Sequence, residues 1–504
     1  MKLNNIAVIA LLGGALALGS TGCTLDYDPV SDYSDVTEGV TEEEEEVVFK
    51  NKAAVESYMT SIYKKMTDRQ EHWYLDVLLI AECHSDNAYA GTTGAEVVPY
   101  EDNSIEGSNT VVQRDWERYL EDAAVATKMI VNIGKVADNS LTQAEQRLYE
   151  AQARIFRAMV WFDMVRLWGS IPVIKTTAGN ITAENVEEMY QAYFPKQNTE
   201  EEAYQAIEED LLFAAEHAPA VSGDKTLFTK GVAHAMLAKV YAEKPLRDYS
   251  KVVQYANLCA SDGYSLNSDY GLLWDVSESS FEPTRNTAES ILEAPFFTGS
   301  GNWCTWMFGN PVDNPGNNFT WAKWVTPSRD LINLYDANKD TKRKNQSIAF
   351  YSCTWSNYYP ADNYAFMNKC RSSYSSLIKL RYADILLLKA EALIMSGDLT
   401  GGAAIIDEIR ERAGIAKLTA SAKSSQSSMI NALLDERRME LAMEGQRWFD
   451  LVRLDKVEEV MNAVYAKDSG RHAQKSIFNR NSYRLPIPQA AIDQNENLNQ
   501  NDGY

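Results

Sequence analysis

Two kinds of chemistry are open to this 504-residue chain. The first is aromatic stacking. Gly301-Asn302-Trp303-Cys304-Thr305-Trp306-Met307-Phe308-Gly309-Asn310 sets two indoles three residues apart among amides and a hydroxyl. Asn317-Asn318-Phe319-Thr320-Trp321-Ala322-Lys323-Trp324 repeats the mix. A flat C–H face, such as that of a sugar ring, buries well against an aromatic ring, and offset geometry adds about 0.5–1.5 kcal/mol beyond the area buried. Neighbouring amides, carboxylates and guanidiniums then serve hydroxyl groups as donors and acceptors. Trp303, Trp306, Trp321, Trp324 and Asn302 are therefore the first binding candidates, followed by Trp355 and Tyr358. At least two of the four indoles should stand exposed side by side. Trp161, Trp168, Trp274 and Trp448 lie in apolar surroundings and are expected in the core.

The second is acid–base chemistry. Asp435-Glu436-Arg437-Arg438-Met439-Glu440-Leu441-Ala442-Met443-Glu444 places carboxylates one helical turn apart. Arg437 with Glu440, Glu444 with Arg447, and Asp450 with Arg453 have the i,i+3 spacing of helix-surface pairs. Such lattices lock helix packing through bidentate guanidinium–carboxylate bonds. Arg381, Asp384 and Glu391 read likewise as polar pins in a nearly all-apolar segment, because a buried charge needs a partner. A glycosidase needs two carboxylates set across the scissile bond, and among 71 acids nothing singles out a pair. No nucleophile elbow, phosphate loop or dinucleotide fingerprint occurs. His72, His84, His217, His234 and His472 have no zinc-ligand spacing. The residues point to a binder, with no catalytic site, metal or cofactor.

These side chains need a scaffold, and its pattern is helical. Hydrophobic residues make up 45% and charged residues 24%, the balance of a globular fold. Lys plus Arg is 48 against 71 acids, a net charge of −23, which excludes a duplex-binding role built on phosphate contacts. Apolar residues recur at helical spacing in 143–168, 199–217, 231–244, 249–261, 402–413 and 428–454, and 376–396 is apolar almost all round. Thr41 with Glu42 to Glu46 has the composition of a helix start, continued by Val48, Val55, Met59, Ile62 and Met66. Residues 231–261 and 381–413 have the length of tetratricopeptide-like helix pairs, though not the strict consensus. The expected fold is mainly α: one large helical domain framed by degenerate helix pairs. Two polar segments interrupt it, 82–114 and a loop-rich insertion at 263–375, and loops on a rigid scaffold are where binding residues concentrate.

The N-terminus carries an address. Lys2 precedes an apolar run, Ile6 to Leu18, too short to span a bilayer. Leu18-Gly19-Ser20-Thr21-Gly22-Cys23 then resembles the bacterial lipoprotein signal. The resemblance implies that residues 1–22 are removed and Cys23 is lipidated, with 23–46 an acidic flexible tether and 47–504 the helical body. More than one acyl chain gives stable anchoring. Of the five remaining cysteines, Cys353 and Cys370 are the nearest in sequence, and export makes a disulfide possible.

Four stretches together resemble the SusD/RagB family of surface nutrient-binding lipoproteins. They are Ala153-Arg154-Ile155-Phe156-Arg157-Ala158 with Trp161-Phe162-Asp163-Met164-Val165-Arg166-Leu167-Trp168-Gly169-Ser170-Ile171-Pro172; Leu380-Arg381-Tyr382-Ala383-Asp384-Ile385-Leu386-Leu387-Leu388-Lys389-Ala390-Glu391-Ala392; Asp435 through Arg453; and Leu485-Pro486-Ile487-Pro488 with the closing Asn495 to Tyr504. The resemblance implies oligosaccharide capture at the cell surface. It also implies an outer-membrane TonB-dependent partner, the SusC-like transporter, over which the lipoprotein acts as a hinged lid. The family's ligand platform comes from loops of the middle region and the loop after the first helices. By position, Asp86, Asn87 and Tyr89 would join it. A peptide ligand in the same fold, a glycoside hydrolase and a ligand-free helical scaffold stay open as rival readings.

Overall fold

Asn51 starts the first helix. Its side chain accepts from the Ala54 N–H at 3.0 Å, and the helix that follows, α1 (Lys52–Asp68), buries Val55, Met59, Ile62 and Met66. The computed structural model describes residues 48–504 except 92–93, 180–184, 298–299 and 314–321. The leader, Cys23, the tether and the expected start at Thr41–Glu46 lie outside the described residues.

The body, Phe49–Tyr504, is an array of helices that pack largely on their neighbours in sequence. Its first half comprises α2 (Thr110–Asn132), α3 (Gln143–Trp168), α4 (Glu200–His217), α5 (Lys230–Ala242) and α6 (Tyr249–Ser261). Successive helices from α1 to α6 pack against one another. Capping boxes open α3 at Thr142/Glu145 and α4 at Thr199/Glu202, satisfying backbone donors that a helix start leaves bare. After α7 (Cys304–Phe308), the second half holds α8 (Tyr382–Met395), α9 (Leu399–Ala413), α10 (Gln426–Leu441) and α11 (Arg447–Arg453). Helix α8 packs on α6, α9 and α10, which explains why it is apolar on nearly every side. The α5–α6 and α8–α9 pairs are the two repeat-like units expected.

The insertion is more ordered than its composition suggests. Strands β2 (Ser290–Ala294), β3 (Val325–Pro327), β4 (Ile348–Tyr351) and β5 (Tyr364–Met367) lie within 263–375, as do helices Arg329–Ala337 and Thr341–Ser347. With β1 (Ala88–Ala90) and β6 (Leu377–Arg381), they form three antiparallel ribbons: β1–β3, β2–β6 and β4–β5. The β1–β3 ribbon, with Tyr89 opposite Thr326, joins the two polar segments in space.

A second difference lies at 428–454, where periodicity alone suggests one helix. The helix ends at Leu441 and restarts at Arg447. Met443 and Gly445 adopt left-handed φ angles of 62° and 74° between them, and the Met443 and Gly445 N–H groups donate to the buried Glu82 carboxylate at 3.2 and 2.8 Å. Glu444 and Arg447 therefore do not share a helix.

Candidate functional site

Helix α7 is a single turn. Trp303 and Trp306 are 51% and 46% exposed, while Cys304, Thr305 and Phe308 of the same turn are buried. Spacing of three residues puts both indoles on one side of a helical turn, and the opposite side is the anchor. Trp324 is half-buried, and Trp321 lies outside the described residues. Two of the four candidate indoles are thus exposed on one short turn.

The turn is fixed from below by hydrogen bonds. The Asn302 amide donates to the carbonyls of Ser372, Ser373 and Ser375 at 3.0, 3.1 and 2.8 Å. Its oxygen accepts from the Thr305 N–H and hydroxyl at 3.1 and 2.8 Å. Gln70 clamps the chain on the other side: its oxygen accepts from Trp303 N–H at 2.7 Å, and its nitrogen donates to the Gly301 carbonyl at 3.2 Å. Lys323 donates to the Trp306 carbonyl at 2.6 Å, and burial holds its ammonium down at about 8. The indoles are presented on a rigid mount, which limits the entropy lost when a ligand settles on them.

Several residues expected at the platform serve the interior instead. Asn302 is buried and is the mount itself. Asp86 is buried with both oxygens on the Arg447 guanidinium, at 2.8 and 2.9 Å, and with Arg438 at 3.0 Å. Burial alone would raise its carboxyl, but Arg438 and Arg447 outweigh it and hold it well below the usual carboxylate range. Asn87 bridges Glu82 and Arg438 at 2.7 Å each. Tyr89 and Tyr358 are buried and stack on each other, centroids 4.4 Å apart and planes 7° apart. Tyr89 donates to Asp468 at 2.6 Å, and Tyr358 to the Ala90 carbonyl at 2.8 Å. Trp355 is half-buried against Tyr364 and Phe366. The loop after the first helices does reach the middle region, as expected, but its polar side chains face inward because buried guanidiniums pull them there.

The charge-rich motif is framework, and its partners are mostly distant in sequence. Arg381 reaches Glu289 and Glu440, each at 2.7 Å, and Glu444 at 2.6 Å. Arg343 reaches Glu436 and Glu440 at 2.6 and 3.0 Å. Arg437 joins Asp450 and Asp384 at 2.8 and 2.7 Å rather than Glu440. Of the three expected i,i+3 pairs only Asp450–Arg453 forms, at 2.6 Å; the break at 442–446 parts Glu444 from Arg447, and Arg437, on the same helix as Glu440, turns to Asp450 and Asp384 instead. Burial works against the Glu440 charge, but Arg412, Arg381 and Arg343 outweigh it and hold the carboxyl well below its ordinary value. Carboxylates committed in this way are poor proton shuttles.

Phe297 is not among the residues the sequence singles out, yet it is 57% exposed, and Arg285 covers one face of its ring at 4.6 Å. The available signal was an aromatic placed just before the Gly- and Ser-rich stretch 298–301. Among the described residues, no group of three or more His, Cys, Asp or Glu is placed to hold a metal ion. The cysteines at 83, 259, 304, 353 and 370 are all free thiols, so Cys353 and Cys370 do not pair.

The model of the SusD family matches residues 372–504, and a second family model, described as starch-binding and associating with the outer membrane, matches residues 32–242. The chain belongs to the SusD/RagB family. A relative from Formosa agariphila, SusD-like protein P2, is 26% identical over 496 residues, covering 91% of this chain and 94% of its own. A SusD superfamily protein of known structure from Bacteroides vulgatus superimposes with a TM-score of 0.74 at 18% identity, over 90% of this chain and 99% of that one. Surface glycan-binding protein A from Bacteroides fluxus superimposes with a TM-score of 0.71 at 20% identity, over 90% and 100%. At such identities the structural likeness speaks for the SusD fold alone. This SusD-family chain has, among its described residues, no helix long and apolar enough to cross a membrane.

Proposed function

We propose that this SusD-family protein is a lipid-anchored, surface-exposed glycan binder that captures oligosaccharide and passes it to a TonB-dependent outer-membrane transporter. The observation that carries the reading is the pair of exposed indoles, Trp303 and Trp306, on a turn held by Asn302 and Gln70. Two rings on one face suit successive sugar units lying flat, and the rigid mount keeps them in place without ligand. The description of the matched family as starch-binding and outer-membrane-associated supports both halves of the proposal, as does a structural neighbour named for surface glycan binding. The leader that ends just before Cys23 supports the anchor. The acids of the charge-rich motif are engaged by guanidiniums, which favours binding over hydrolysis.

Stepwise capture and release asks only for modest affinity with fast dissociation. The test is a glycan array, followed by titration calorimetry on each hit. Trp303→Ala and Trp306→Ala should each weaken binding by about 10-fold or more, the equivalent of about 1.4 kcal/mol, with the melting temperature unchanged. Undiminished binding in both variants would place the ligand elsewhere. Release of reducing ends from the same glycans would instead make the protein a hydrolase.

A further inference from the structure

A cavity of about 70 Å³ has Cys304, a buried residue of the α7 turn, in its wall. Trp73, Tyr74, Met159, Phe162, Met236 and Leu380 supply much of its apolar lining. Three of its lining residues leave polar atoms without a protein partner: the Tyr74 hydroxyl, the Trp274 indole N–H and the Ser376 hydroxyl. Tyr74 and Trp274 are only 6% and 7% exposed.

The charges around the cavity are already matched. Lys379 donates to Asp163 at 2.7 Å, Lys369 to Glu444, and Lys239 to Asp384 and Gln446. What remains unmet is neutral: one obligate donor and two hydroxyls that can donate or accept. The wall includes the stretch around Tyr74, where Glu71–Leu75 and Leu79–Cys83 form wide π-helical turns on either side of Asp76–Leu78. Such turns open the backbone spiral and recur at functional sites.

Volume decides the guest. An apolar cavity of about 150 Å³ takes one benzene ring, so half that space excludes a hexose. At roughly 15–30 Å³ per water it holds about two to five molecules. We propose that this cavity is a binding site for a small cluster of structural water, hydrogen-bonded to Tyr74, Trp274 and Ser376, with Cys304 of the aromatic turn in its wall. A dry cavity would leave three buried polar groups unmade, whereas bridging water satisfies all three.

The sign of one substitution separates the two states. In a hydrated cavity, Tyr74→Phe removes a bonded hydroxyl, and the unfolding constant of the mature chain should rise roughly 2- to 10-fold in urea titration. In a dry one it removes an unpaired hydroxyl, and the constant should fall. Ser376→Ala should move the same way as Tyr74→Phe, and the two together should change stability by less than the sum, because they share water. A crystal structure at about 1.5 Å should show ordered solvent within hydrogen-bonding distance of all three atoms. Stabilisation by Tyr74→Phe, xenon occupying the cavity, or continuous density for an organic solute would each overturn the assignment.

Discussion

Replacing Arg447 by Met asks whether the charge-rich motif is framework or ligand site. The methionine keeps the aliphatic length of the side chain and removes the guanidinium. Arg447 meets Asp86 with two bonds of 2.8 and 2.9 Å, and their side chains are 5% and 2% exposed. Breaking a buried pair from one side leaves the other charge uncompensated, at a cost of about 3–5 kcal/mol. Asp86 keeps Arg438 at 3.0 Å, so the lower end of that range is expected. Unfolding entropy of about 2.1 cal/mol/K per residue over roughly 450 residues is about 1 kcal/mol/K, so the melting temperature should drop by about 3 °C if the body unfolds as one unit. Urea titration at neutral pH gives the stability change, and calorimetry with a glycan hit gives the affinity of the folded protein. Adding Asp86→Asn should recover part of the loss, because the stranded charge is gone. A variant as stable as the parent but unable to bind would refute the framework argument, return Asp86 to the ligand site and place Arg447 there with it.

Three further outcomes follow from the geometry. Asn302→Ala leaves the carbonyls of Ser372, Ser373 and Ser375 without the amide that serves them, at up to about 1–3 kcal/mol for a stranded group. Hydrogen exchange over 301–309 should quicken while α8 stays protected, and unchanged exchange would mean the turn is held by something else. Burial keeps the His84 imidazole down at about 4, against about 6.5 in an unfolded chain. Between those values the unfolded chain binds the extra proton, so stability falls as pH drops through that window. The loss should reach about 2–3 kcal/mol by pH 4.5. Urea midpoints at pH 7 and 4.5 should converge in His84→Gln, and an equal loss in parent and variant would count against His84 as the source. Gly445→Ala forces a β-carbon into a left-handed residue with φ 74°, 3.0 Å from Val77 Cγ1, and should destabilise by about 1–2 kcal/mol. A neutral result in thermal denaturation would show that the 442–446 turn can relax.

Local patterns carried most of the architecture. Apolar periodicity at 3.6 residues is a property of neighbours along the chain, so α1, α3, α4, α5 and α6 were legible, as were the buried Trp161, Trp168, Trp274 and Trp448. The exposed Trp303 and Trp306 were legible too, since a spacing of three residues in a Gly-flanked segment sets both indoles on one side of a turn. What the chain order could not reveal was where each charge finds its partner. Asp86 meets Arg447 across 361 positions and Asn302 meets Ser375 across 73, and only the folded body brings them together. An acid in a polar stretch looks the same in sequence whether it faces a ligand or a guanidinium, because its energy depends on what burial places opposite it. For the same reason the break at 442–446 leaves no mark in the local pattern: its left-handed backbone is held by Glu82, a residue from a distant helix. Residue type and spacing thus set the helices and the aromatic turn, while desolvation and long-range charge pairing decided which polar groups remain free to meet a ligand.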